Sequence, residues 1–213
     1  VHGVGFGAVD KRGPLAAGTT NGAVALIDPN SGRLVHSVKA HNGPLYQVAW
    51  SPHVAGVVAS CGGDGRFSLL DTRVKQPALT TVAVPGDSPE VMTVDFNKYA
   101  EWQVATGGAD QAIRIFDLRT PVPPLHVLRG HTRAVRRLQW SPFRGDRLVS
   151  VSYDMTFRIW SLDSLHPGTC IDSEAREFLC GVDQSLHRAG LVVVCGWEEG
   201  RAVRLFTCDA LCK

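Results

Sequence analysis

An apolar run closed by an aromatic residue returns along this chain at a nearly constant interval. The closing positions are Phe6, Trp50, Phe96 and Trp140, with Gln184 in the fifth place, at steps of 44, 46, 44 and 44 residues. The same apolar pair precedes each one: Val1/Val4, Leu45/Val48, Val91/Val94, Val135/Leu138 and Leu179/Val182. A turn residue recurs in phase, as Asn21, Asp64, Asp110, Asp154 and Glu198. A hydroxyl stands four residues before three of the turn acids, at Ser60, Thr106 and Ser150. A period of this length leaves room for one small supersecondary unit per repeat and implies that neighbouring units bury each other.

Residues 130–160 show the unit most completely. It opens at Gly130-His131 and closes at Ile159-Trp160, with apolar runs over 135–140 and 148–152 and a period-2 run over 156–160. These are three short strands, a, b and c, joined by tight turns. His131, Ser150, Asp154 and Trp160 have the chemistry of a buried polar chain, because buried donors and acceptors need partners. His131 can donate to Asp154, and Ser150 and Trp160 extend the link. A four-stranded unit of about 40–45 residues with this signature is a blade of a WD-repeat β-propeller. The expected fold class is all-β, with blades at about 1–40, 41–84, 85–129, 130–173 and 174–213.

The repeats are uneven. Only the fourth carries the whole tetrad. The second has His41 but Leu70 in the tryptophan place; the third has Asp87 and Phe116; the first has Asn21 and Ile27; the fifth has Ala175, Glu198 and Phe206. Packing is therefore expected to hold most blades, with the tetrad optional. Val1 already falls in a strand a, and no outer strand d follows strand c of the fifth repeat. The expectation is five blades of a seven-bladed ring, with N-terminal sequence missing and an isolated chain less stable than the intact protein.

With 22 basic and 20 acidic residues the formal net charge is +2, which supplies no special attraction for nucleic acid or a membrane surface. No run is long and apolar enough to span a bilayer, so no direct membrane insertion is expected. The six cysteines form no CxxC pair and no disulfide framework; buried thiols in a reducing compartment are the reading. No metal site and no cofactor are expected. Gly62-Gly63-Asp64-Gly65 leads into a strand and so is a turn, since phosphate cradles need a helix N-terminus. Two of the eight histidines are explained by the tetrads and the others are scattered, so the chain is not expected to be an enzyme.

Several stretches carry a more specific resemblance. They are His131-Thr132 with Ala134-Val135-Arg136-Arg137, Trp140-Ser141-Pro142-Phe143, Ser152-Tyr153-Asp154, Trp50-Ser51-Pro52-His53, Asp117-Leu118-Arg119, Cys180-Gly181-Val182-Asp183, and Cys195 with Trp197. In these the chain resembles the WD-repeat peroxins, receptors for the type 2 peroxisomal targeting signal. The resemblance implies a cytosolic import receptor that does no chemistry and cycles to the peroxisome. It implies cargo proteins bearing the signal, an import co-receptor and the peroxisomal docking machinery as partners. The signal is an amphipathic helix with a leading basic residue, a late His or Gln, and an apolar stripe.

Such a helix needs apolar contacts for its stripe and carboxylates for its basic residue. Glu90 and Glu177 directly precede Val91 and Phe178, the apolar residues at the entry into strand a, and are the candidate carboxylates; solvated loop acids are the alternative. Tyr153 and Trp197 stand beside turn acids and are candidate anchors, against packing between blades. Arg136 is a further candidate: of Arg136 and Arg137, one is expected to face the central channel or the rim and the other to pair across strands. His131, Ser150, Asp154 and Trp160 are assigned to structure. A rival reading is a WD-repeat scaffold acting as substrate adaptor of a ubiquitin ligase, since Leu70-Asp71-Thr72-Arg73 and Phe116-Asp117-Leu118-Arg119 approximate the Trp-Asp-x-Arg ends of such adaptors.

Overall fold

In the computed structural model the chain is built of β-strands joined by short turns. The structure describes residues 3–5, 13–74, 78–85, 90–163, 169–172, 177–197, 203–208 and 211; at 3–5, 78 and 169–172 this is backbone alone. Phe6, Asp87, Ala175 and Glu198 lie outside the described residues. Two compact units divide between Phe96 and Asn97.

Unit one holds two four-stranded antiparallel meanders. The first runs β1 (Gly3–Gly5), β2 (Leu15–Gly18), β3 (Ala23–Ile27) and β4 (Leu34–Lys39). The second runs β5 (Leu45–Trp50), β6 (Val57–Gly62), β7 (Arg66–Asp71) and β8 (Ala78–Ala83). The next strand, β9 (Val91–Phe96), lies beside β5, and the Val94 N–H donates to Gln47 Oε1 at 3.4 Å. Alternation of apolar and polar residues sends one face of each strand inward. Leu26, Leu45, Val48, Trp50, Val58 and Leu70 meet there, so the core of this unit is made between sheets rather than within one.

Unit two repeats the arrangement. β10 (Gln103–Gly108), β11 (Ile113–Asp117) and β12 (His126–Leu128) form a meander, followed by β13 (Val135–Trp140), β14 (Arg147–Ser152), β15 (Phe157–Ser161) and β16 (Thr169–Asp172). β17 (Leu179–Gln184), β18 (Leu191–Gly196) and β19 (Val203–Thr207) follow as three paired strands. Ile113 and Ile115 pack on Leu138, Trp140 and Trp160; Val149, Val151, Phe157 and Ile159 pack on Leu179, Val182, Val192 and Val194. Each such side chain contributes about 1.5–3 kcal/mol on full burial. That explains why blades lacking the polar tetrad still form.

Every described turn between strands b and c uses one backbone device. The residue after the turn position is left-handed: Gly22 (φ 84), Gly65 (φ 74), Gln111 (φ 70) and Met155 (φ 65). Glycine adopts this region without cost, whereas Gln111 and Met155 carry Cβ strain. At Gly22 a Cβ would also stand 2.2 Å from the His41 carbonyl oxygen, so no side chain fits.

Candidate functional site

The fourth repeat forms the expected polar chain. The Trp160 indole N–H donates to Ser150 Oγ at 2.7 Å; Ser150 Oγ lies 2.7 Å from His131 Nε2; His131 Nδ1 lies 2.8 Å from Asp154 Oδ2. With the imidazole carrying its proton on Nδ1, every donor in the series meets an acceptor. Asp154 also accepts from Thr156 Oγ1 at 2.6 Å and from the Thr132 N–H at 3.0 Å. Burial alone would raise the Asp154 pKa, but the hydrogen bonds from His131 and Thr156 outweigh it and hold the carboxyl well below the usual range. In the second repeat His41 bridges Asp64 and Ser60, both at 2.9 Å, and Leu70 fills the indole's place, fully buried. In the third, Thr106 Oγ1 is buried with no hydrogen-bond partner among the described residues, and Asp110 pairs with Arg114 at 2.5 Å. The two histidine relays are buried and tie loops to strands.

The opposite is true where strand a begins. The second residue of β5, β13 and β17 is in each case the extra residue of a β-bulge: Tyr46, Arg136 and Cys180, with the register slipping between Leu45 and Gln47, Val135 and Arg137, and Leu179 and Gly181. A bulge frees one residue from the ladder and re-aims its side chain, and bulges are frequent beside functional sites. Tyr46 uses this freedom to donate its hydroxyl to Glu90 at 3.1 Å. Glu90 is therefore a partly buried, oriented carboxylate. Arg136 is half-buried, with no ion pair among the described residues.

The two candidate glutamates are not equivalent. Val91 opens β9 and Leu179 opens β17, so the position of Glu90 is matched by Phe178, and Glu177 lies one residue further out. Glu177 is exposed. Glu90 belongs to unit one and Glu177 to unit two, and each is placed within its own unit.

Around Phe178, the residue after Glu177, the structure gathers an aromatic cluster. Tyr153, from the turn after β14, packs on Phe178 with centroids 5.2 Å apart and on Trp197, after β18, at 6.4 Å; Phe178 meets Trp197 edge-on at 6.0 Å. The Trp197 N–H donates to the Phe178 carbonyl at 3.3 Å, which pins the two strand ends together. Trp197 packs on Tyr153 of the preceding repeat and remains 64% exposed. Tyr153 and Phe178 are half-buried. An apolar platform beside an exposed carboxylate is what an amphipathic segment with a basic residue needs. The sequence marks Phe178 only as the start of a strand; its place in the cluster depends on where β17 begins.

The cysteines divide. Cys61 and Cys208 are buried, as expected of inert thiols. Cys180 and Cys195 are only half-buried, and their sulfurs stand 3.9 Å apart. The side chains of Cys170 and Cys212 lie outside the described residues.

Comparison with known proteins gives the fold its family. A family model described as EIPR1 beta-propeller matches residues 20–160. The chain belongs to this β-propeller family. It is 33% identical over 189 residues to the peroxisomal targeting signal 2 receptor of Saccharomyces cerevisiae, covering 72% of this chain and 50% of that protein. With the mouse (Mus musculus) receptor of the same name it is 34% identical over 185 residues, covering 87% of this chain and 57% of that protein. The Dictyostelium discoideum anaphase-promoting complex subunit cdc20 is 27% identical over 192 residues, covering 88% of this chain and 37% of that protein. The chain thus spans about half the length of the curated receptors it matches. The resemblance read from the residues agrees with these relatives, which are named as receptors and a complex subunit.

Proposed function

We propose that this chain is part of a peroxisomal import receptor that binds the N-terminal type 2 targeting signal of matrix proteins and delivers them with a co-receptor. The observation that carries the reading is the half-exposed cluster of Tyr153, Phe178 and Trp197 beside the exposed Glu177. The apolar stripe of a signal helix lies on the three rings, and Glu177 pairs with its leading basic residue. Arg136 contributes at the strand entry, and Glu90, oriented by Tyr46 within its own unit, is an alternative carboxylate for the basic residue. Similarity to two proteins named as receptors for this signal supports the assignment. The receptor works in the cytosol and cycles to the docking machinery at the peroxisome.

The test is fluorescence anisotropy with a labelled type 2 signal peptide, with and without a candidate co-receptor. The control peptide has its leading Arg replaced by Glu. Saturable binding of the first peptide alone, weakened by Glu177→Ala or Trp197→Ala, supports the reading and its site. Equal binding of both peptides, or of neither, defeats it.

A second reading, a substrate adaptor of a ubiquitin ligase, is favoured by similarity to a protein named as an anaphase-promoting complex subunit. The arginines that suggested it are engaged locally. Arg73 and Arg119, though 57% and 64% exposed, fold back on Asp71 and Asp117 at 2.6 Å. Co-purification with a ligase linker protein, lost on Arg119→Ala, would select this reading.

A further inference from the structure

The β17–β18 hairpin holds a feature that signal binding does not use. The bulge at Cys180 turns its thiol across to β18, where Cys180 Sγ lies 3.9 Å from Cys195 Sγ and 3.6 Å from the Cys195 carbonyl oxygen. Opposite Cys195 in the ladder is Gly181, and a Cβ built there would stand 2.5 Å from Cys195 Sγ. The Cys195 sulfur thus occupies space that exists only because residue 181 has no side chain. Two independent local devices, a bulge and a missing side chain, bring the two thiols together, and neither residue is fully buried. A disulfide needs its sulfurs at about 2 Å, so closure asks for a small contraction across a hairpin end.

We propose that Cys180 and Cys195 are a redox-active dithiol, a modification site that a disulfide oxidant of the glutathione class closes into an intramolecular disulfide, reshaping the adjoining aromatic cluster. The step balances as a two-electron exchange. Both thiols lose their protons and an S–S bond forms between Cys180 and Cys195. One molecule of glutathione disulfide is cleaved and takes up two electrons and two protons as two glutathione thiols. Burial and the neighbouring Cys195 hold the Cys180 pKa above the usual thiol value, while Arg136 works the other way. A raised thiol pKa lowers the thiolate fraction, so attack on glutathione disulfide is slow near neutral pH and quickens as pH rises. The effect on the cluster follows from chain geometry. Phe178 is two residues before Cys180, Trp197 is two after Cys195, and the backbone hydrogen bond between Trp197 and Phe178 closes the same end of the hairpin.

The experiment is thiol trapping on the folded chain after equilibration with glutathione disulfide, followed by peptide mapping by mass spectrometry. A cross-linked peptide joining Cys180 to Cys195, two hydrogens lighter and reversed by dithiothreitol, is expected. Cys195→Ser should give a glutathione adduct at Cys180 instead. Gly181→Ala keeps both thiols and crowds Cys195 Sγ, so the cross-link should be largely lost. Both cysteines trapped free after oxidation, or an undiminished cross-link in Gly181→Ala, would overturn the site. Oxidation should also shift the tryptophan emission of the wild-type chain but not of Trp197→Phe; an emission unchanged in the wild type would overturn the link to the cluster. Neither readout involves a signal peptide, so failure here and failure of the receptor reading are separate results.

Discussion

Ser150 Oγ sits 2.7 Å from both the Trp160 indole nitrogen and His131 Nε2, so one hydroxyl ties strand c to the loop that enters strand a. Asp154 completes this link, buried and bonded to His131, Thr156 and Thr132. Asp154→Ala should destabilise unit two by about 2–4 kcal/mol, because it strands a buried His and removes charged hydrogen bonds. Asp64→Ala, in a shorter relay without an indole, should cost less. Urea titration of the two variants decides the order, and equal losses would contradict it.

The same carboxyl sets an acid limit. Its folded pKa is depressed, so its contribution is fully present above the unfolded value, about 3.9, and is lost as pH falls through the folded value. Wild-type stability should therefore fall below about pH 4 more steeply than that of Asp154→Asn. Chemical denaturation midpoints across pH 2–6 test this; parallel curves for the two proteins would refute it.

Gln111 carries left-handed strain at a turn where two other repeats use glycine, and its side chain is exposed. Gln111→Gly should raise stability by up to about 1 kcal/mol. Met155 has the same backbone but packs on the core of unit two, so Met155→Gly should not stabilise. Thermal midpoints of the two variants provide the comparison.

Two tryptophans should behave in opposite ways. Trp197→Ala, at a position 64% exposed, should leave stability within about 0.5 kcal/mol and weaken peptide binding by about tenfold or more. Trp140→Ala, at a fully buried position, should cost about 3–5 kcal/mol. Parallel denaturation and anisotropy titrations separate the two roles.

Much of this protein is legible without coordinates. The 44-residue step, the alternation within each strand and the His131–Ser150–Asp154–Trp160 pattern are local or periodic signals, and they define the β-propeller repeat, its turns and its polar relay. Tyr153, Trp197 and Glu177 could be named as candidates because exposed aromatics and acids at turns are recognisable types. Their convergence with Phe178 could not be read, because it depends on the register at which β17 meets β18. The repeat phase of Val91 and Leu179 already sets Glu177 one residue further out than Glu90, and the strand bounds agree. The bulges at Tyr46, Arg136 and Cys180 leave no mark in composition or spacing, since any residue can occupy a bulge. The pairing of Cys180 with Cys195 rests on such a bulge and on an absent Cβ at Gly181. Periodicity determines which residues face inward; only the folded ladder, where one residue's slip re-aims a side chain, decides which of the remaining ones meet.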